Sequence, residues 1–396
     1  MITFKEAYQK VLDHPLDLGI ENVPLLNSLN RILAEDIYAD RDFPPFDRAT
    51  KDGIAIQFSD LANNRHAFKI EGVAAAGVVQ QVLKDKSNCL EVMTGAVVPN
   101  HCDTVVMYEH LTIEDGAVTI TKNVTKGQNI HYQGSDEKKG TLLLSKRKKI
   151  SPAEIGVMAT VGKAMVMVKG NPKICTVATG NELVEVDEIP KPHQIRKSNM
   201  LTIESALLNS KIEAGSLHLL DDKKEIEREL EKALQDNDVL LLSGGVSKGK
   251  FDFIPEVMES LGVKKVFHRV LQRPGKPFWF GIHPKLKTVI FSFPGNPVST
   301  FANYHLYFLP WLQTSWGISI DKLYIKLSTA ITISLPLTRF IQVNTEEKEG
   351  VLWATPVMEN GSGDLTSLAK SDGFICLEPR NKEYEVGEVV SFVKTR

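Results

Sequence analysis

Between residues 173 and 315 the chain alternates apolar, strand-like runs with helical segments, and this ordering restricts its fold more than any other feature. DVLLLSGG (238–245) is the strongest run: apolar throughout its centre, long enough for a strand buried on both faces, and stopped by two glycines. KICTVATG and KTVIFSFPG (287–295) have the same texture. Helical spacing is predicted between them over 199–209 (with Ser198 as its cap), over KKEIERELEKALQ (223–235), over IPEVMESLG and over about 298–312. Strand–helix alternation of this kind predicts a mostly parallel sheet with helices on both faces. Open sheets of that type bind ligands beyond the carboxyl ends of their strands. The residues that follow each strand are therefore the first candidates for function.

The flanking regions read differently. Residues 1 to about 40 are predicted helical, from Phe4, Ala7, Tyr8, Val11 and Leu12 and again from Leu25, Leu29, Ile32 and Leu33. DFPPFDRATKDG then breaks the pattern at Pro44 and Pro45. From about 46 to 140 short alternating runs such as IAIQF, HAFKIEGV and DTVVMYEHLTI predict a small β-rich domain. SPAEIGVMATVG (151–162) is a short helix with proline at its first position. After about 320 the strand-like segments KLSTAITISL, RFIQVNT, GFICLEP and VVSFVK predict a small barrel or sandwich.

A chain of 396 residues exceeds one ordinary core, so two to four domains are expected. Lys and Arg number 47 against 49 acidic residues, a balance that gives no broad electrostatic grip on nucleic acid or anionic lipid. Cys89, Cys102, Cys175 and Cys376 form no C-x-x-C pair and read as reduced thiols of a cytoplasmic protein. No stretch of about 18 uncharged apolar residues is present, so no membrane span is expected.

Five segments of the α/β region fall where ligands bind: TGNEL (179–183), LLDDKKE (219–225), SGGVSKGKFDF (243–253), LQRPGKP (271–277) and SFPGNPVS (292–299). SGGVSKG leaves a strand and runs towards a helix. Gly244 and Gly245 let backbone N–H groups approach an anion, and Ser243 and Ser247 add hydroxyl donors. The G-x-x-x-x-G-K-[ST] spacing is absent, so this is not a Walker A loop. Glu182, Asp221 and Asp252 sit near it, and carboxylates beside a phosphate loop call for a bridging cation such as Mg²⁺. The plainer reading of Asp221 and Asp252 is that each caps a following helix. RPGKP carries Arg273, Gly275 and Lys276 on a stiff loop, a fork and a point charge for phosphate or else solvated surface charge. Pro294, Gly295 and Asn296 fix a tight turn. Asp52, Thr94 and Asp136 in the second region read, on their own, as turn chemistry.

Taken together these segments resemble the molybdopterin molybdenumtransferase family, which includes the C-terminal domain of gephyrin. PPFDRATKDG, MTGAVVP, GQNI-x₃-G-x-D, TGNEL, SGGVSKGKFD, RPGKP, FPGNPVS and GSGDLTSL occur in family order across nearly the whole chain. The resemblance implies a multidomain α/β plus β fold and an elongated homodimer. Its four domains would be a discontinuous N-terminal linker domain (1–45 and 141–172), a β-rich domain (46–140), a molybdopterin-binding α/β domain (173–318) and a C-terminal β-barrel (319–396). It implies Mg²⁺-dependent release of AMP from adenylylated molybdopterin, with molybdenum inserted from molybdate. A molybdopterin adenylyltransferase is an expected partner. Glu182, Asp221 and Asp252 match the acidic, metal-associated group, with Asp222 the alternative register for Asp221. Asp52, Asp136, Glu182 and Asp252 take the catalytic positions. Thr94, Ser243, Gly244, Gly245, Ser247, Arg273, Gly275, Lys276, Pro294, Gly295 and Asn296 take the substrate-binding ones. His131, Lys51, Lys248 and Lys250 depart from residues common in the family. Two other readings are a molybdopterin adenylyltransferase, against which the 170 or so residues before the α/β region argue, and a non-catalytic gephyrin-like scaffold, against which the retained acids argue.

Overall fold

The computed structural model describes every residue except 64 and 247–251. The described residues form two compact units: the first from 1–34, 147–151 and 165–396, the second from 35–146 and 152–164.

In the first unit the alternation seen in the sequence becomes a six-stranded sheet. Its elements in chain order are β1 (Ile174–Thr179), α1 (Asn199–Leu208), β2 (Ala214–Leu219), α2 (Lys223–Asp236), β3 (Val239–Ser243), α3 (Ile254–Ser260), β4 (Lys264–His268), β5 (Trp279–Ile282) and β6 (Val289–Phe293). The spatial order is β2-β1-β3-β6-β5-β4. The first four strands run parallel, and β5 and β4 close the far edge antiparallel. Side chains alternate across a strand, and here both faces are apolar. Phe291 and Phe293 of β6 join Phe278, Phe280 and Trp311 in one core, while Ile290 turns to the other with Trp279, Leu230 and Met258. Helix α2 shows why its polar face is tolerated: Ile226, Leu230, Ala233 and Leu234 are buried, and the charged residues between them face solvent.

After β6 the chain runs through α4 (Pro297–Asn303), a π-helical turn (Tyr304–Phe308) and α5 (Leu309–Trp316), which Gly317 ends in a left-handed conformation. A seven-stranded mixed sheet follows, built chiefly from Leu323–Leu327, Thr338–Lys348, Val351–Pro356, Gly373–Leu377 and Val389–Lys394. It also recruits Ile2–Thr3 and Val270–Arg273, which the sequence reading assigned to a helix and a loop.

Two expectations need correction. The first 40 residues hold one α-helix, Phe4–Leu12, capped by Thr3 and Glu6 in a reciprocal box. The second predicted helix is instead a strand (Ile20–Pro24), a single 3₁₀ turn and extended chain, because Asn30 adopts φ 66° and the buried Ile32 and Leu33 pair with Lys149 and Val168. Ser198 precedes α1, but its side chain accepts no capping bond; only its carbonyl is used, by Thr202.

The second unit contains a six-stranded sheet in the order Thr104–Met107, Gly53–Ile56, Cys89–Val92, Ala67–Ala74, Ala117–Ile120, Leu111–Glu114, and the helix Pro152–Thr160. All four residues of Gly53–Ile56 are buried between two neighbouring strands. Among the described residues no helix is long and apolar enough to cross a membrane.

Candidate functional site

The carboxyl ends of β1, β2, β3 and β6 open into one cavity of about 260 Å³. Glu182, Asp221, Asp252, Ser243, Gly244 and Gly245 all line it. Each arrives there because its strand ends in a tight turn. Gly244 has φ 98°, and a Cβ there would stand 2.6 Å from the Thr179 hydroxyl, so the turn after β3 closes only around glycine. Ser247, Lys248 and Lys250 lie outside the described residues.

The register of the paired aspartates follows from hydrogen bonding. Asp222 is the N-cap of α2, accepting from the backbone N–H groups of Lys224 and Glu225 at 3.0 and 2.9 Å. That carboxylate is occupied. Asp221 instead lines the cavity, its backbone N–H donating to Asn181 Oδ1 at 3.0 Å.

Ser243 is buried, and its hydroxyl belongs to a scaffold. Asn199, the first residue of α1, donates to Ser243 Oγ at 2.9 Å and to the Gly295 carbonyl at 2.7 Å, tying the ends of β3 and β6 together. Thr300 adds a contact to Ser243 Oγ at 3.2 Å and donates to the Pro294 carbonyl at 2.6 Å. Sequence reasoning missed Asn199; the visible signal was its place at the start of a helix following a strand of the parallel sheet. Arg196 and Lys197 also line the cavity, Lys197 paired with Glu185. They supply cations that the motif search did not pick out.

A second cavity of about 340 Å³ is lined by Arg273, Gly275, Lys276, Pro294, Asn296 and Ser299, among others. Gly295 lines both cavities, so the acidic one and the basic one meet at the PGNP turn. Asn296 donates to Ser362 Oγ at 2.9 Å. Gln272, fully buried, holds the RPGKP loop from beneath: it accepts from the Tyr307 hydroxyl and donates to Asn303 Oδ1 (2.9 Å) and to the Pro274 carbonyl (3.0 Å). Asn303 in turn donates to the Gly275 carbonyl at 3.3 Å. Arg339 stands opposite Arg273 in the strand register, and its Nε is buried with no hydrogen-bond partner. Burial first, and the charge of Arg273 second, hold its pKa below the ordinary value. A buried cation with an unmet donor is an anion-seeking group. No motif of the α/β region pointed to Arg339, which comes from the C-terminal sheet.

Asp52, Thr94 and Asp136 belong to the second unit. Asp52 accepts from the Thr94 backbone N–H at 2.6 Å and from the Thr94 hydroxyl at 2.9 Å. The backbone donor, then the hydroxyl, lower its carboxyl pKa. Thr94→Val removes the lesser donor, so the Asp52 titration moves part of the way back up, a shift read by carboxyl NMR against pH. Because the folded carboxyl is the stronger acid, its stabilising contribution is present at neutral pH and lost as pH falls through the carboxylate range. Asp136 pairs with His131 Nε2 at 2.7 Å, while His131 Nδ1 accepts from Arg48 at 3.1 Å. Arginine can only donate, so the ring proton sits on Nε2 and points at Asp136. The histidine that replaces a common arginine is therefore locked between two charged neighbours.

The cysteines take no part. All four are unpaired; burial pushes Cys89, Cys102 and Cys376 up to about 12 and Cys175 up to about 11, which keeps them as thiols. For a divalent cation the donor set is three carboxylates on one cavity, yet among the described residues no three acids, histidines or cysteines are gathered closely enough to hold a metal alone. That fits Mg²⁺, which takes one or two carboxylates and completes its shell with phosphate oxygens and water.

Sheet, strand-end cavity and adjoining basic pocket mark an α/β domain of the kind that receives a polyanion, embedded in a larger multidomain chain. Three family models cover that chain in turn: the MoeA N-terminal region (domain I and II) at residues 2–162, the probable molybdopterin binding domain at 175–314, and the MoeA C-terminal region (domain IV) at 324–395. A molybdopterin molybdenumtransferase from a Synechocystis species is 39% identical over 99% of both chains. One from Staphylococcus epidermidis is 31% identical over 100% of this chain and 96% of its own. Two solved structures of a molybdopterin biosynthesis MoeA protein from Pyrococcus horikoshii cover 100% of this chain and 99% and 100% of theirs, with TM-scores of 0.81 and 0.82 at 30% and 28% identity. The chain belongs to the molybdopterin molybdenumtransferase family of enzymes.

Proposed function

We propose that this enzyme inserts molybdenum from molybdate into adenylylated molybdopterin and releases AMP. The observation that carries the reading is the junction at Gly295 of an acidic, glycine-walled cavity with a basic one. A phosphoanhydride with a bound cation suits the first, and a free oxyanion such as molybdate suits the second.

In this reading the backbone of Gly244 and Gly245 approaches the phosphates, and Asn199 fixes the strand ends that shape their pocket. Glu182, Asp221 and Asp252 would hold Mg²⁺, which when bound neutralises charge between those carboxylates and the phosphate oxygens. Arg273 and Lys276 orient the anion, with Arg339 behind them. Catalysis is then mainly positional and electrostatic, and no cysteine nucleophile is required. Asp52, Thr94 and Asp136 are assigned to the same reaction on the strength of the family resemblance. The proposal includes the four-domain division, homodimeric assembly, a cytoplasmic location and a molybdopterin adenylyltransferase as the source of substrate.

Asp252→Asn removes a charge and keeps the shape. Molybdate-dependent AMP release is expected to fall by about a hundredfold, the usual scale for a preorganised electrostatic group. Turnover within a few fold of the parent enzyme would remove Asp252 from the mechanism. ATP-dependent adenylylation of molybdopterin without molybdate would favour the adenylyltransferase reading instead.

A further inference from the structure

A third cavity, of about 560 Å³, lies in the first unit and shares no residue with the two at the strand ends. Helix α1 contributes Thr202, Ser205 and Asn209, the π-helical turn contributes Tyr304 and His305, and α5 contributes Gln313 and Trp316. Its lining carries three exposed cations, Lys149, Lys394 and Arg396, and not one carboxylate side chain. None of the three is in an ion pair among the described residues; Arg396 Nη2 donates only to the Leu368 carbonyl, at 3.0 Å.

The inner wall is harder to explain as packing. His305 is 8% exposed and Tyr304 1%, yet both imidazole nitrogens and the Tyr304 hydroxyl lack any hydrogen-bond partner. Buried polar atoms are nearly always satisfied, so three orphans on adjacent residues at one cavity wall mark a place where a partner is expected. Burial lowers the His305 pKa to about 4, which leaves the ring neutral, with one donor and one acceptor nitrogen. A hydroxyl beside it adds a second group able to do either. Phe301 and Trp316 offer ring surface, the Trp316 N–H being already committed to the Gly170 carbonyl at 3.0 Å. The two orphaned residues also lie on a π-helical turn, a rare element that recurs at binding sites.

We propose that this cavity binds a small organic anion of mononucleotide type, its heterocycle against Phe301, Tyr304, His305 and Trp316 and its phosphate at Lys149, Lys394 and Arg396. Paired donor and acceptor groups suit the edge of a heterocycle, and a rim of cations without acids suits a phosphate. The volume is in the range of small-ligand sites. The inference is independent of the catalytic reading, because it uses none of the same residues.

Titration calorimetry of the full-length enzyme with AMP, adenosine and inorganic phosphate tests it, with His305→Leu and a Lys149→Glu, Lys394→Glu double variant beside the parent. AMP is expected to occupy a site that each variant weakens at least tenfold. Adenosine and phosphate alone should each bind at least tenfold more weakly than AMP. His305→Leu removes two unsatisfied nitrogens, so its thermal midpoint should stay level or rise while binding falls; a merely structural histidine would show the reverse. Crystals soaked with AMP locate the site. Density confined to the strand-end cavities, or an isotherm unchanged in both variants, overturns the proposal. Equal affinity for AMP and phosphate overturns its heterocycle part, and a second copy of the chain filling the cavity overturns all of it.

Discussion

Gln272→Leu is expected to destabilise the first unit by about 3–5 kcal/mol and to cut turnover by about a hundredfold. Leucine fills similar space but strands three buried groups: the Tyr307 hydroxyl, Asn303 Oδ1 and the Pro274 carbonyl. Each unsatisfied buried polar group costs about 1–3 kcal/mol, and here all three sit in one network where relaxation is limited. Burial holds the Tyr307 phenol well above its ordinary pKa, so it cannot escape by ionising. The functional loss follows from position. Gln272 and Asn303 grip the carbonyls of Pro274 and Gly275, and Arg273 and Lys276 flank them. A displacement near 1 Å of groups that orient a reactant can cost about a hundredfold. Denaturant unfolding and steady-state AMP release measure the two effects. A variant as stable and as active as the parent would show that the network does not position the loop.

Gly53→Ala should unfold the second unit selectively, at a cost of about 3 kcal/mol or more. A Cβ on Gly53 would collide with the Val106 carbonyl oxygen of the next strand and stand 2.8 Å from Met107 Cα. Neither is a side-chain tip that can swing aside. Gly53 pairs with Met107 on one side and Val92 on the other, so the strand has no free edge towards which to retreat. Asp52 precedes it and Thr94 follows the Val92 strand, so their hydrogen bonds should fail together. Gly156→Ala is the matched control: it lies in the helix Pro152–Thr160 of the same unit with open space around its Cβ, and should stabilise by roughly 0.5–1 kcal/mol. Limited proteolysis separates the cases. Early cleavage within 35–146 is expected for Gly53→Ala, and cleavage like the parent's would contradict the steric argument.

What could be read from the sequence followed the physics of each element. DVLLLSGG and KTVIFSFPG are apolar on both faces because they occupy the middle of a sheet, and that pattern survives without any knowledge of partners. Glu182, Asp221 and Asp252 could be placed near one rim because strand ends in a parallel sheet share a rim. The failures share one cause. Leu25, Leu29, Ile32 and Leu33 have helical spacing, but a single left-handed residue at Asn30 and pairing partners more than a hundred residues away decide their conformation. Val270–Arg273 looked like part of a loop because its sheet lies elsewhere in the chain. Asn199 and Arg339 carry no motif; only the folded geometry shows that one amide ties two strand ends and that one guanidinium lies buried beside another.

The short excursion of Val270–Arg273 into the C-terminal sheet bears on how far this chain can be dissected. A fragment cut at residue 318 would keep every described residue of the acidic cavity. It would lose Leu335, Leu337 and Ser362 from the wall of the basic one, together with Arg339 and the strand against which Gln272 and Arg273 pair. An excised α/β module therefore inherits half of a workplace: able to cradle phosphates, but deprived of the tooling for a second oxyanion.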